Sequence, residues 1–201
     1  MFVIFSCTKY FMLISVVYIL LWTLMVNKKT LISIKTAKVS DADSIVKILR
    51  TTWMATYPNS SLGIDESNLK VYLRKVRPQA IRDSISHQSS NEFFWLVRVN
   101  RKPVGLCKVV KEEGEVRIKM LYILPKYQGI GAGSALMQKV LRTFGHRSNI
   151  VLNVARYNRR AIAFYIRFGF IRTRRKVQTS LDKLPGGIVI PEVAMVRQKK
   201  D

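Results

Sequence analysis

Apolar and polar residues alternate along "LISIKTAKV" (31–39), a period of two that predicts a strand. The period then lengthens. "DADSIVKILRTTWMAT" (41–56) reads as a helix, with Ser40 and Asp43 forming a capping box in front of it and Pro58 and Asn59 ending it. Two shorter helices follow in "IDESNLKVYLRKV" (64–76) and "PQAIRDSISHQ" (78–88), Pro78 sitting in a first turn that tolerates it. "EFFWLVRV", the turn "NRKP", "VGLCKVVK", the turn "EEG" and "EVRIKMLYIL" together predict an antiparallel meander over residues 92–124. A glycine-rich turn then opens a helix from about Gly133 to Phe144. The remainder alternates: a strand "NIVLNVA" (149–155), a helix "NRRAIAFYIRF" (158–168), a strand "GFIRTRRKVQ" (169–178) and, after the Pro185 loop, a last strand "GGIVIPEVAMVRQ" (186–198).

That order is mixed α/β, or α+β, and it is neither a pure βαβ array nor two separate domains. At 201 residues the chain suits one domain, residues 30–197, with an appendage in front and a short tail, residues 198–201, behind. The appendage, residues 1–26, carries one charge, Lys9, and its uncharged stretch from Tyr10 to Val26 approaches the ~20 residues a membrane span needs. Two readings stand for it: a single-pass signal anchor, or residues upstream of a true start at Met25. A cleaved signal peptide fits less well, because Trp22, Leu24 and Met25 occupy the place of a small-x-small site. With Lys28, Lys29, Lys35 and Lys38 behind an anchor, the body would lie in the cytoplasm.

Charge narrows the partners. Lys and Arg number 35 against 12 Asp and Glu, a formal net charge of +23, so an anionic partner is expected: a phosphorylated cofactor, nucleic acid or an anionic membrane surface. Cys7 and Cys107 are the only cysteines and make no disulfide framework. His87 and His146 stand far apart with no ligand at metal-binding spacing, so no metal is expected.

In "LYILPKYQGIGAGSAL" (121–136) glycines 129, 131 and 133 fall at every second position. A Walker loop needs Lys and Ser or Thr after its last glycine, and Ser134 and Ala135 stand there instead. The dinucleotide fingerprint fails at its third glycine, where Ser134 lies. What remains is a strand stopped by a proline and a turn of low bulk whose N–H groups converge at a helix N-terminus, a place for a pyrophosphate or simply a tight turn.

The run Gln128, Gly129, Ile130, Gly131, Ala132, Gly133 matches the signature Q/R-x-x-G-x-G/A, and "NRRAIAFYIRFGF" (158–170) supplies a second block in the right order. Together they resemble the GNAT superfamily of acyl-CoA-dependent N-acetyltransferases. The resemblance covers roughly residues 31–197 and implies a mixed, mostly antiparallel central sheet flanked by helices, with acyl-CoA bound where central strands splay.

The resemblance also implies roles. Backbone groups of Leu121, Tyr122 and Ile123 would pair with the pantetheine arm of acetyl-CoA, and the amides from Gly129 to Ser134 would hold its pyrophosphate. Asn158 would reach the cofactor near the thioester. Tyr165 would protonate the departing thiolate; a phenol, neutral at pH 7, suits that task, although by spacing alone it is equally an inward core aromatic. Glu115 is the candidate base, on the face of Leu121 and Ile123 if no bulge interrupts the strand, with Glu112 and Glu113 beside it; the three acids also read as a solvated hairpin turn. Direct attack in a ternary complex is favoured because Cys107 has no nearby His partner.

The acceptor is less legible. "TTWMATYPN" (51–59) is similar to the acceptor-side loop of polyamine-type members, and Trp53 and Tyr57, one helical turn apart, are either walls for a cation or core residues. The net charge repels polycations unless Asp65, Glu66 or the acids at 112–115 form an acidic pocket, and a small amine or a protein N-terminus is the other option. Residues 142–176 hold ten Lys or Arg and no acid. Arg156, Arg159 and Arg160 fall beside the presumed phosphate site, and the excess raises a second reading: a nucleic-acid- or ribosome-binding module on the same scaffold.

Overall fold

The computed structural model describes residues 30–174 and 183–199, and one compact unit begins at Ile32. The expectations for residues 1–26 and for the far end of the 169–178 strand lie outside the described residues. Among the described residues no helix is long and apolar enough to cross a membrane.

Among the described residues seven strands form one sheet: β1 (Ile32–Thr36), β2 (Glu92–Val99), β3 (Lys102–Glu112), β4 (Glu115–Ile123), β5 (Asn149–Ala155), β6 (Ile171–Thr173) and β7 (Glu192–Arg197), in the order β1-β2-β3-β4-β5-β7-β6. Every pairing is antiparallel except β4 with β5. That parallel pair needs a crossover, and α4 (Ala132–Phe144) is its helix. The other helices are α1 (Ala42–Thr56), α2 (Glu66–Leu73), α3 (Pro78–Ser86) and α5 (Arg159–Arg167).

The sheet is covered on both faces, which is why its central strands are apolar on both sides. On one face Val116, Ile118 and Ile123 of β4 pack with Leu136, Met137 and Val140 of α4 and with Ile162 and Tyr165 of α5. On the other, Leu96 and Leu106 meet Ile45, Ile48 and Leu49 of α1. Each such side chain, withdrawn from water, contributes about 1.5–3 kcal/mol. A third cluster, Trp53, Tyr57, Ile64, Leu69, Leu73 and Ala155, holds the end of α1 and all of α2 against the end of β5.

The helix starts differ from expectation in one place. Ser40 does not cap α1: residues Val39–Asp41 form a short 3-10 turn, and the Asp41 carboxylate reaches back to accept from the Lys38 N–H at 3.0 Å. Asp43 instead pairs with Arg82 of α3 at 3.3 Å. The Asp41 side chain thus satisfies a donor at the start of the 3-10 turn rather than at the start of α1.

Candidate active site

β4 and β5 separate partway along their length. Their ladder has four pairs, from Glu115 with Asn149 to Ile118 with Leu152. Beyond it β5 keeps its bonds to β7 through Ala155, and β4 keeps its bonds to β3. The cause is visible in β4: Ile118 faces Val109 and Met120 faces Lys108, so Lys119 is an extra residue, a bulge that bends the strand.

The opening exposes backbone selectively. The Leu124 N–H donates to the Val104 carbonyl of the β3 side at 2.8 Å. By strand alternation the backbone of Tyr122, two residues earlier, also faces β3, whereas that of Leu121 and Ile123 faces the opening. Unlike the expectation for Tyr122, its N–H and C=O belong to the ladder with Leu106, and its side chain carries a hydroxyl to Tyr57. Gln128 closes the end of the opening by donating its Nε2 to the Ile123 carbonyl at 3.0 Å.

The glycine turn follows. Gly129 and Gly131 have φ of 86° and 91°, a left-handed conformation that side chains resist, although an added Cβ would find open space at Gly129 and only the Ile32 Cδ1 at 3.6 Å at Gly131. Backbone direction, not crowding, selects glycine at these two positions. Successive positive-φ turns around exposed Ile130 concentrate N–H groups at the start of α4, where the first-turn amides of Ala132, Gly133 and Ser134 have no acceptor within the helix. Gly133 sits in ordinary contact with Ile123 and with Phe164 of α5, both at 3.6 Å.

α5 brings the remaining groups. Asn158 is its N-cap: the side-chain oxygen accepts from the Ala161 N–H at 3.0 Å, so this oxygen is committed to the helix. Tyr165 falls one turn beyond Ile162 on the inward stripe, 7% exposed and edge-on to Phe164 and Phe170 at ring distances of 5.4 and 5.7 Å. Burial, then the neighbouring Cys107 and Tyr122, push its hydroxyl well above the ordinary tyrosine value. Cys107 is buried and its thiol is likewise pushed up by burial, which keeps it protonated and unreactive.

The opposite face presents aromatic groups at the same level. Trp53 meets Tyr57 edge-on at 4.7 Å and stacks on Tyr72 of α2 at 5.0 Å. The hydroxyls of Tyr57 and Tyr122 are 3.1 Å apart, and Tyr157 donates its hydroxyl to the Tyr57 carbonyl at 2.9 Å. Burial raises the Tyr57 and Tyr122 hydroxyls, with the Glu192 carboxylate adding to both, and the Tyr165 hydroxyl adds to Tyr57. Tyr57, Tyr122, Tyr165 and Glu192 therefore form one electrostatic neighbourhood.

Glu115 is not in it. The bulge at Lys119 reverses the alternation, so Glu115 and Leu121 lie on opposite faces, and six residues of strand set their backbones ~20 Å apart. Glu115 is 7% exposed and bonded to Arg117 Nη2 at 3.2 Å, while the same guanidinium grips Glu112 at 2.8 to 3.1 Å. The carboxylate that acts on the Tyr57 and Tyr122 hydroxyls is Glu192, paired with Ala155 at the end of β5. Sequence reading missed it; a lone carboxylate in the apolar run "IVIPEVAMV" was the available signal. Among the described residues no cluster of His, Cys, Asp or Glu is arranged for a metal.

A parallel ladder that opens over a glycine turn, with a phenol beneath it, defines a protein built to receive an extended chain ending in a pyrophosphate. The family described as "Acetyltransferase (GNAT) family" matches residues 47–170, and the chain belongs to that family. Over 70 residues it is 39% identical to an uncharacterized N-acetyltransferase of Mycobacterium bovis, a match that covers 33% of this chain and 45% of the relative, so it spans under half the length of the curated relatives. Among solved structures it is similar to the PaiA N-acetyltransferase of Thermoplasma acidophilum in complex with coenzyme A, at TM-score 0.66 and 18% identity over 84% of this chain and 99% of that one. It is also similar to the ribosomal-protein-S18-alanine N-acetyltransferase of Escherichia coli, at TM-score 0.61 and 16% identity over 85% and 96%. Both likenesses are of fold.

Proposed function

We propose that the protein transfers the acetyl group of acetyl-CoA to an amine. The observation that carries this reading is the splay: Leu121 and Ile123 turn backbone groups into it, and the positive-φ glycines gather N–H groups where it ends. These residues fit the donor, the strand edge binding an amide-bearing arm as an added strand does and the glycine cradle binding a pyrophosphate. Acetyl-CoA supplies an activated carbonyl. The amine nitrogen attacks that carbon, the C–N bond forms and the C–S bond breaks.

The attacking nitrogen loses one proton before attack and a second once it is bonded to carbon, and this second proton replaces the one that Tyr165 gives to the sulfur. An amine arrives charged and must lose a proton before attack; Glu192, the carboxylate on the aromatic side, takes it directly or through water. Tyr165, held protonated by burial, delivers a proton to the leaving sulfur. Glu115 serves instead to hold Arg117 and the β3–β4 hairpin.

Calorimetric titration of acetyl-CoA into the protein and into Gly131→Glu tests the reading. Binding by the native chain that disappears in the variant is the expected result, because the new side chain adds bulk, negative charge and φ strain at the cradle. No binding by the folded native chain overturns it.

A further inference from the structure

Arg156 and Arg159 stand on either side of the first turn into α5, and with Tyr157 they line an open recess of about 300 Å³. Asn59, Ser61 and Leu62, from the turn after α1, form the facing wall, and Pro191 lies at its side. No carboxylate is among the lining residues. The sequence placed these two arginines beside the pyrophosphate; the fold turns them toward the loop after α1.

Two links tie this recess to the reacting centre. The Arg156 N–H donates to the Pro191 carbonyl at 2.8 Å, and the next residue is Glu192. Tyr157, a wall of the recess, donates its hydroxyl to the Tyr57 carbonyl, so one side of the ring belongs to the recess and its tip to the aromatic group. A molecule seated in the recess thus lies next to the place where an amine is deprotonated.

We infer that the recess holds a carboxylate carried by the acetyl acceptor, which makes the substrate an acidic amine, either a small amino acid with an extra carboxylate or the acidic N-terminal stretch of a peptide. The inference rests on the acetyl-transfer reading above. Guanidinium groups bind carboxylates through paired, charge-assisted hydrogen bonds, and two of them facing Ser61 and Asn59 across an open recess suit that chemistry. The net charge of +23 draws anions to the surface and works against the polyamine that the acceptor-side loop suggested. The excess of arginine around residues 156–160 then has a use that the donor does not require.

The test is calorimetry on the full chain with two unreactive probes, glutarate and the blocked peptide acetyl-Ala-Glu-Glu-amide, with CoA titrated in parallel. Three proteins are compared: the native chain, Arg156→Gln/Arg159→Gln, and Arg142→Gln/Arg147→Gln, which removes the same charge from exposed positions after the middle of α4. At least one probe should bind the native chain, weaken by about tenfold or more in the recess variant and by under about twofold in the control, with CoA affinity unchanged in both. The tighter probe identifies the source, small acid or peptide. Equal weakening in both variants, loss of CoA affinity in the recess variant, or no binding of either probe to the native chain overturns the inference. Failure of the native chain to bind CoA is a separate result that counts against acetyl transfer, since the carboxylate titration needs no donor.

Discussion

The hydroxyl of Tyr57, the residue that caps the end of α1, lies 3.1 Å from the hydroxyl of Tyr122, on β4, across 65 positions of sequence. This contact locks α1 to the strand directly above the opening between β4 and β5. It also places two phenols in a buried setting where ionisation is disfavoured: Tyr57 is pushed well above its ordinary value, and Tyr122 is pushed up to about 12, burial being the main cause for both.

A raised folded-state pKa has a definite sign. The folded protein holds these protons more tightly than the unfolded chain, so their contribution to stability is complete below the ordinary tyrosine value of about 10 and is lost as pH rises through the folded values. For Tyr122 that window closes near 12. Urea unfolding across the alkaline range is expected to show stability falling above about pH 10, and the fall should be shallower in Tyr122→Phe. An equal slope in native and variant would separate the alkaline loss from this pair.

Tyr165→Phe removes the proposed proton donor and keeps the ring that packs on Phe164 and Phe170. The turnover number is expected to drop by about a hundredfold, with CoA affinity and thermal stability little changed. Because burial raises the hydroxyl, Tyr165 stays protonated through neutral pH, and the native enzyme should show no loss of rate from this group below about pH 10.

Glu115→Gln and Glu192→Gln separate the buried ion-pair acid from the proposed base. Glu115 is bound to Arg117 at 3.2 Å in a buried pair, so its amide variant should lose about 1–3 kcal/mol in urea unfolding while keeping turnover. Glu192→Gln should lower turnover by about a hundredfold or more with stability nearly unchanged. Reversed outcomes would return the base role to the β3–β4 hairpin.

Gly105→Ala probes the strand behind the donor site. A Cβ there would stand 2.6 Å from the Tyr122 carbonyl oxygen and 3.0 Å from the Val97 Cγ1, both fixed by neighbouring strands. β3 must then move off β4, at a cost of about 1–3 kcal/mol, and CoA affinity should weaken because Leu121 and Ile123 shift with β4. Retained stability and affinity in the variant would show that the ladder yields more easily than its packing implies.

Local pattern carried much of this protein. The two-residue period of β2, β3 and β4, the helical stripe of α1, and the glycine positions 129 and 131 all follow from chain-local rules: side chains alternate on strands, apolar residues recur every turn of helix, and a left-handed φ excludes a Cβ. The motif around Gln128 and the second block from Asn158 were therefore legible, as was the inward position of Tyr165 at three residues from Ile162.

The assignments that depended on partners were not. An extra residue at Lys119 changes no local propensity, yet it reverses which face every later side chain of β4 occupies, so it separated Glu115 from the face of Leu121 and Ile123 and turned Tyr122 toward Tyr57. Glu192 stands beside Ala155 because β7 inserts between β5 and β6, a pairing between segments more than thirty positions apart. Arg156 and Arg159 turned toward Asn59 and Ser61 for the same kind of reason. Sequence by itself determined what each short segment is, since that depends on neighbours along the chain; the tertiary structure decided which carboxylate lies near the buried tyrosines and which loop shares a recess with Arg156 and Arg159, because strand register and sheet order are set by contacts between segments far apart.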